Sequence, residues 1–106
     1  MTLDQQRWMR IANHLFEQRR ICAVVMPLSE GGGILIPVAQ GDLHIAYHFF
    51  NCDGVICFNR EHTDRTEQSC PGLYLGDQMR RYFYGKNEEI ARWIGEEISR
   101  DLKSLI

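Results

Sequence analysis

The 106-residue chain has no apolar run near the ~20 residues that a membrane-spanning helix requires. Its opening residues, Met1-Thr2-Leu3-Asp4-Gln5-Gln6, carry no apolar signal-peptide core. The expected location is therefore the cytoplasm. No charge sign dominates: 12 Lys and Arg stand against 14 Asp and Glu, a formal net charge of −2. A dedicated non-specific nucleic-acid binder is normally clearly basic, so that class is disfavoured, although a local basic patch is compatible with the total. There is no Cys-x-x-Cys knuckle, no Gly-Lys-Ser/Thr phosphate-loop ending, no internal repeat and no low-complexity tract. Cys22, Cys52, Cys57 and Cys70 are expected as free thiols in a reducing compartment, though their even number leaves a pair open if the chain is exported.

Hydrophobic residues make up 44% and charged residues 25% of the chain, close to globular averages. A chain of this length buries roughly 60–70% of its unfolded surface. One core can then form without metal or disulfide, and residues 1–106 read as one domain.

Residues 3–20 read as an amphipathic helix. Thr2 and Gln5 have capping-box spacing. Trp8, Ile11, Ala12, Leu15 and Phe16 recur on one face, and Arg7, Arg10, His14 and Glu17 on the other. Branched apolar runs at 21–28, 34–39, 43–50 and 55–60 read as four strands. Residues 59–70 read as a polar loop, and Cys70-Pro71-Gly72 as a turn. Asp77 is placed to cap a short helix reaching Tyr84, with Gly85 as its stop. Asn87 is placed to cap a last helix, whose Ile90, Ile94, Ile98, Leu102 and Leu105 share a face.

Gly41-Asp42 and Asp53-Gly54 read as two-residue hairpin turns, and each dictates a register. The first pairs Val38 with Ile45, Ile36 with Tyr47 and Ile34 with Phe49. The second pairs Phe49 with Phe58 and Asn51 with Ile56. Both put Ile34, Ile36, Val38, Ile45, Tyr47, Phe49, Ile56 and Phe58 on one face. A register slip would move them all to the other. Pro37 has no N–H, and in this register the gap faces the first strand. The second strand is then an edge or bulged there. The expected fold is a two-layer α+β domain, in the order α-β-β-β-β-α-α, whose mostly antiparallel four-stranded sheet packs against the N- and C-terminal helices.

The second face of that sheet is expected to carry Ala23, Val25, Leu35, Ala39, Ala46, His48, Phe50, Val55 and Cys57. A solvated face should alternate to polar residues, and this one stays apolar, so it needs a cover: a helix of the chain, a partner or a small ligand. His48, Cys52, Cys57 and His62 have the residue types of a zinc site, but the register puts His62 on the opposite face, and no metal or other cofactor is expected. Cys57 or Cys70 beside a histidine is a thinner case for a thiol nucleophile. Ser29 to Gly33 is glycine-rich but leads from strand to strand, which excludes a phosphate loop.

Arg7, Arg10 and His14 form one basic stripe. Arg80, Arg81 and Lys86 form another, interleaved with Tyr82, Phe83 and Tyr84, a composition common in contact surfaces. These features point away from catalysis. The expected function is that of a small bacterial or phage-type accessory protein, such as an inhibitor, immunity protein or adaptor, that binds a protein partner or a second copy. Its contact residues would be Leu35, Ala39, Ala46, His48, Phe50, Arg80, Arg81, Tyr82 and Tyr84. One alternative is a ligand-binding or enzymatic domain using His44, His48 and Cys57. Another is nucleic-acid binding through the arginines. The element order occurs in many unrelated small proteins, so order alone licenses no function.

Overall fold

Thr2 starts the first helix as its spacing predicts: its hydroxyl accepts from the Gln5 N–H at 3.1 Å, and the Gln5 side chain accepts from the Thr2 N–H at 3.0 Å. Arg20, in the left-handed region at φ 57°, ends that helix with its N–H turned back to the Leu15 and Phe16 carbonyls. The computed structural model describes residues 2–62, 70–73 and 83–105. Over these the order is α1 (Leu3–Arg19), β1 (Val24–Val25), a 3-10 turn (Leu28–Glu30), β2 (Ile34–Gln40), β3 (Leu43–Cys52), β4 (Val55–His62), β5 (Cys70–Leu73) and α2 (Asn87–Leu105). The strands form one antiparallel sheet in the order β1-β2-β3-β4-β5.

Both expected hairpins are present in the expected register. Gln40 pairs with Leu43 across Gly41-Asp42, and Cys52 pairs with Val55 across Asp53-Gly54. Asp53 and Gly54 both have positive φ, 52° and 85°, which is the type I′ pattern. At the other turn Gly41 alone is positive, at 60°, which fits type II′.

The register determines the core. Ile34, Ile36, Ile45, Tyr47, Phe49, Ile56 and Phe58 are buried, with Val38 partly so. Trp8, Ile11 and Leu15 of α1 and Ile90, Ala91, Ile94 and Ile98 of α2 close over them. Phe83, just before α2, joins the cluster and stacks on Trp8 with centroids 4.9 Å apart. The result is a two-layer α+β domain with both helices on the same face of the sheet. Among the described residues no helix is long and apolar enough to cross a membrane.

Several elements differ from the sequence reading. The first strand is two residues long, not eight. Met26 N–H bonds the Gly33 carbonyl at 2.9 Å, and Val24 pairs with Leu35. The next bonded partner on β2 would be Pro37, which has no N–H to give. Pairing therefore stops, and β2 is an edge from there on. The same register places Ala23 and Val25 against the core and Val24 on the second face, the reverse of the expectation. Residues 59–62 continue β4, and 70–73 form a fifth strand, not a turn, with an irregularity in its pairing between Phe58 and Arg60. Pro71 is tolerated because β5 is an edge. The helix expected over 77–84 falls mostly outside the described residues, and Phe83-Tyr84 form a turn. Asn87 is the first residue of α2, and its Oδ1 has no hydrogen-bond partner among the described residues, so it is not the cap. Phe16 is 48% exposed under the Arg20 guanidinium, which lies 5.1 Å from its ring.

Gly33 is where the turn after β1 meets the sheet most closely. It has φ +72°, and a Cβ there would lie 1.9 Å from the Phe49 carbonyl oxygen. Gly41 has a similar φ of +60° but open space around it. In urea denaturation, Gly33→Ala is expected to cost about 3 kcal/mol or more, because strain and a backbone clash combine. Gly41→Ala should cost only about 1–2 kcal/mol of left-handed strain. Equal losses would contradict the tight approach at Gly33.

Candidate functional site

The alternation of each strand builds the second face. β2 supplies Leu35, Pro37 and Ala39. β3 supplies His44, Ala46, His48, Phe50 and Cys52. β4 supplies Val55, Cys57, Asn59 and Glu61. The face is graded. The end near the Asp53-Gly54 hairpin is apolar, with Leu35, Phe50, Val55 and Cys57. The end near the Gly41-Asp42 hairpin is polar, with His44, Asn59 and Glu61. Ala46 and Cys57 are buried among their neighbours, Leu35, His48, Phe50 and Val55 are half-buried, and Ala39 is exposed.

Neither helix packs on this face. Part of it is met by the turn between β1 and β2. His48 Nε2 lies 2.6 Å from the Gly32 carbonyl oxygen, so that nitrogen donates. Gly31 passes so close that a Cβ would come within 3.0 Å of His48 Cε1. The His48 ring also stacks on Phe50, with centroids 5.2 Å apart. Beside this contact, Val24 and Leu28 leave 57% and 61% of their surface exposed. The apolar surface therefore continues past Leu35 onto the β1 edge. Sequence reasoning missed Val24 because a turn longer than two residues carries no register signal.

The expected contact set is thus divided. Leu35, Ala39, Ala46, His48 and Phe50 share the second face. Arg80, Arg81 and Tyr82 lie outside the described residues. Tyr84 is 65% exposed, with its ring 3.8 Å from where a Cβ on Gly54 would sit, at the hairpin tip.

The alternative constellation does not converge. Four residue steps of extended strand separate His44 from His48, about 14 Å at ~3.4 Å per residue. Cys57 Sγ points back toward the Val55 carbonyl, 4.0 Å away. Cys22 and Cys52 are free thiols. For the zinc reading, His48, Cys52 and Cys57 are on the second face, and the backbone of His62 pairs with Ile45 at the far end of β3. Among the described residues no three His, Cys, Asp or Glu side chains are placed to hold a metal ion.

The arginine stripe on α1 also reads differently in three dimensions. Arg7 is not a solvated charge. Its Nη2 donates to the Phe83 carbonyl at 2.5 Å and the Gly85 carbonyl at 2.7 Å, and its guanidinium lies over the Phe83 and Tyr84 rings. Arg7 thereby ties the segment before α2 to α1.

Two polar clusters lie on the helical side. Asp101 of α2 accepts from the Tyr47 hydroxyl at 2.6 Å and from Arg60 Nη1 at 2.5 Å. Tyr47 and Arg60 are cross-strand partners, so Asp101 fastens α2 to the middle of the sheet. Glu97 is buried, with its Oε1 taken by Arg100 Nη1 at 2.5 Å. Neither cluster opens onto the second face. Comparison with protein-family models, curated proteins and solved structures finds no match for this chain.

Burial, and secondarily the hydrogen bond and charge of Asp101, push the Tyr47 hydroxyl well above its ordinary value of 10.0. Above that value the unfolded chain loses this proton while the folded one keeps it, so the folded state binds more protons. Stability must then fall as pH rises past about 10. Denaturation at pH 8 to 11 should show this decline, and Tyr47→Phe should flatten it relative to the parent. An unchanged slope in Tyr47→Phe would contradict the burial of the hydroxyl.

Proposed function

We propose that this chain is an accessory protein that works by binding another polypeptide through the second face of its sheet. One observation carries the reading. Both helices lie on the Tyr47–Phe49–Phe58 face, while the opposite face keeps Leu35, Ala46, Phe50, Val55 and Cys57 in place of the polar residues that a solvated sheet face takes. Contiguous apolar surface beyond a few hundred Å² is generally a contact site. Val24 and Leu28 extend it at one edge, and Tyr84 stands exposed at the hairpin end. The polar end, with His44, Asn59 and Glu61, would set orientation, since polar rims fix register more than they add affinity. Pro37 supports face-on binding over strand addition, because an edge without its N–H is a poor template. An inhibitor, immunity protein or adaptor all work in this way, by occupying a surface.

The test uses the alternation within the sheet. Phe50→Asp changes the second face, and Phe58→Asp changes the buried one. Phe58→Asp is expected to unfold the protein, and Phe50→Asp to leave the circular dichroism spectrum and Tm near those of the parent. Partners captured from the source cell by the parent should be lost with Phe50→Asp and with Leu35→Asp, and retained with Arg10→Asp on the helical side. If the captured material were a second copy, light scattering would show a dimer that Phe50→Asp converts to monomer. Unfolding of Phe50→Asp to the same degree as Phe58→Asp, or unchanged capture, would sink the proposal.

A further inference from the structure

A second site stands on the helical layer, away from the sheet face, where the last turn of α1 meets the second half of α2. Arg19 is exposed there, but its stem is not free of the helix. Its stem lies across α2 at Gly95, so closely that a Cβ on Gly95 would come within 2.6 Å of Arg19 Cδ and 2.7 Å of Nε. Glycine weakens a helix interior, and here it makes the seat for this side chain. Arg19 Nη1 then donates to Ser99 Oγ at 3.2 Å. The guanidinium is positioned by this one hydrogen bond and by the stem lying on Gly95, and it has no carboxylate partner among the described residues.

Arg19, Ser99, Arg100, Lys103 and Glu96 line a cleft of about 480 Å³, a size that small ligands occupy. Three cations and one carboxylate leave its lining with a net charge of +2. Arg100 shares its charge with the buried Glu97, whereas Lys103 makes no ion pair among the described residues. Arg19 lies in the last turn of α1 and Lys103 in the last turn of α2, where cations in part offset the negative potential of the helix carbonyl ends. We propose that this cleft binds a phosphoryl group. Arg19 supplies a planar fork of donors already oriented, the geometry that matches phosphate oxygens. Ser99 supplies a hydroxyl, and Lys103 a mobile point charge. An open site of this charge should hold inorganic phosphate with a Kd on the order of 1 mM.

The test is a titration of ¹⁵N-labelled protein with inorganic phosphate at ionic strength held constant with chloride, read by NMR at the Arg19 Nε–H and the Ser99 amide. Saturable shifts are expected at both. Arg19→Gln should weaken binding about tenfold, as loss of a charge-assisted fork implies. Lys103→Gln, at an exposed and unpaired position where folding is not at stake, should weaken it several-fold. A phosphoserine peptide titrated beside its unphosphorylated form identifies the source of the group: tighter binding than inorganic phosphate marks a phosphorylated polypeptide, and equal binding marks a free small phosphate. If Arg19 serves only to pack α1 on α2, the shifts will be linear, match those from chloride alone and persist in both variants. That result would overturn the site.

Discussion

Two-residue turns on either side of β3 decide which side chains of the sheet meet the helices, and the rest of the structure depends on that alternation. Each turn leaves no slack: Gln40 faces Leu43, and Cys52 faces Val55. With both ends of β3 fixed, Ile45, Tyr47 and Phe49 point to the helices, while Ala46, His48 and Phe50 point away. A shift of one residue would expose the aromatic set and bury the histidines. Tyr47 then stands where Asp101 can reach it, so the same parity that fills the core also docks α2. Asn51 extends the logic to α1: it accepts from the Gly54 N–H at 2.8 Å and donates to Asp4 at 3.1 Å, joining the hairpin to the first turn of the helix.

The same alternation produces the candidate site. A sheet with both helices on one side and a polar second side would be complete in itself. Here the second side is apolar toward one hairpin and polar toward the other, with small side chains at Ala39 and Ala46. Among the described residues, only the Gly31–Gly33 turn reaches over it, against His48. That turn can approach so closely because Gly33 brings no side chain against the Phe49 carbonyl. Fold and site therefore share one origin, and a change that disturbed the register would damage both.

What was legible in the sequence was what is encoded locally. Asp53-Gly54, Gly41-Asp42 and the Thr2–Gln5 box each place a boundary from a few adjacent residues, and the structure has all three where they were read. Pro37 announced an edge or a bulge, and β2 is an edge there among the described residues. The misreadings share a physical cause. The six-residue stretch from Leu28 to Gly33 sets no parity, so Ala23 and Val25 were assigned to the wrong face. Cys70-Pro71-Gly72 has turn composition, and only its pairing with β4 makes it a strand. The bonds from Arg7 to Phe83 and from Arg60 to Asp101 span 76 and 41 residues, a separation at which no spacing rule applies. Leu35, Ala46, His48 and Phe50 were gathered onto one face correctly because period-2 alternation is local. The seat of Arg19 on Gly95 went unread because a glycine inside a helix has no local meaning.

The account rests most on the claim that both helices cover the same face of the sheet. Nuclear Overhauser contacts measure this directly in the isolated protein. The Trp8 ring and the Ile94 methyls should show contacts to the odd-numbered β3 side chains Tyr47 and Phe49 and to Phe58 of β4, and none to Ala46, His48 or Phe50. Contacts from either helix to His48 or Phe50 would place a helix on the second face and contradict both the register and the site built on it.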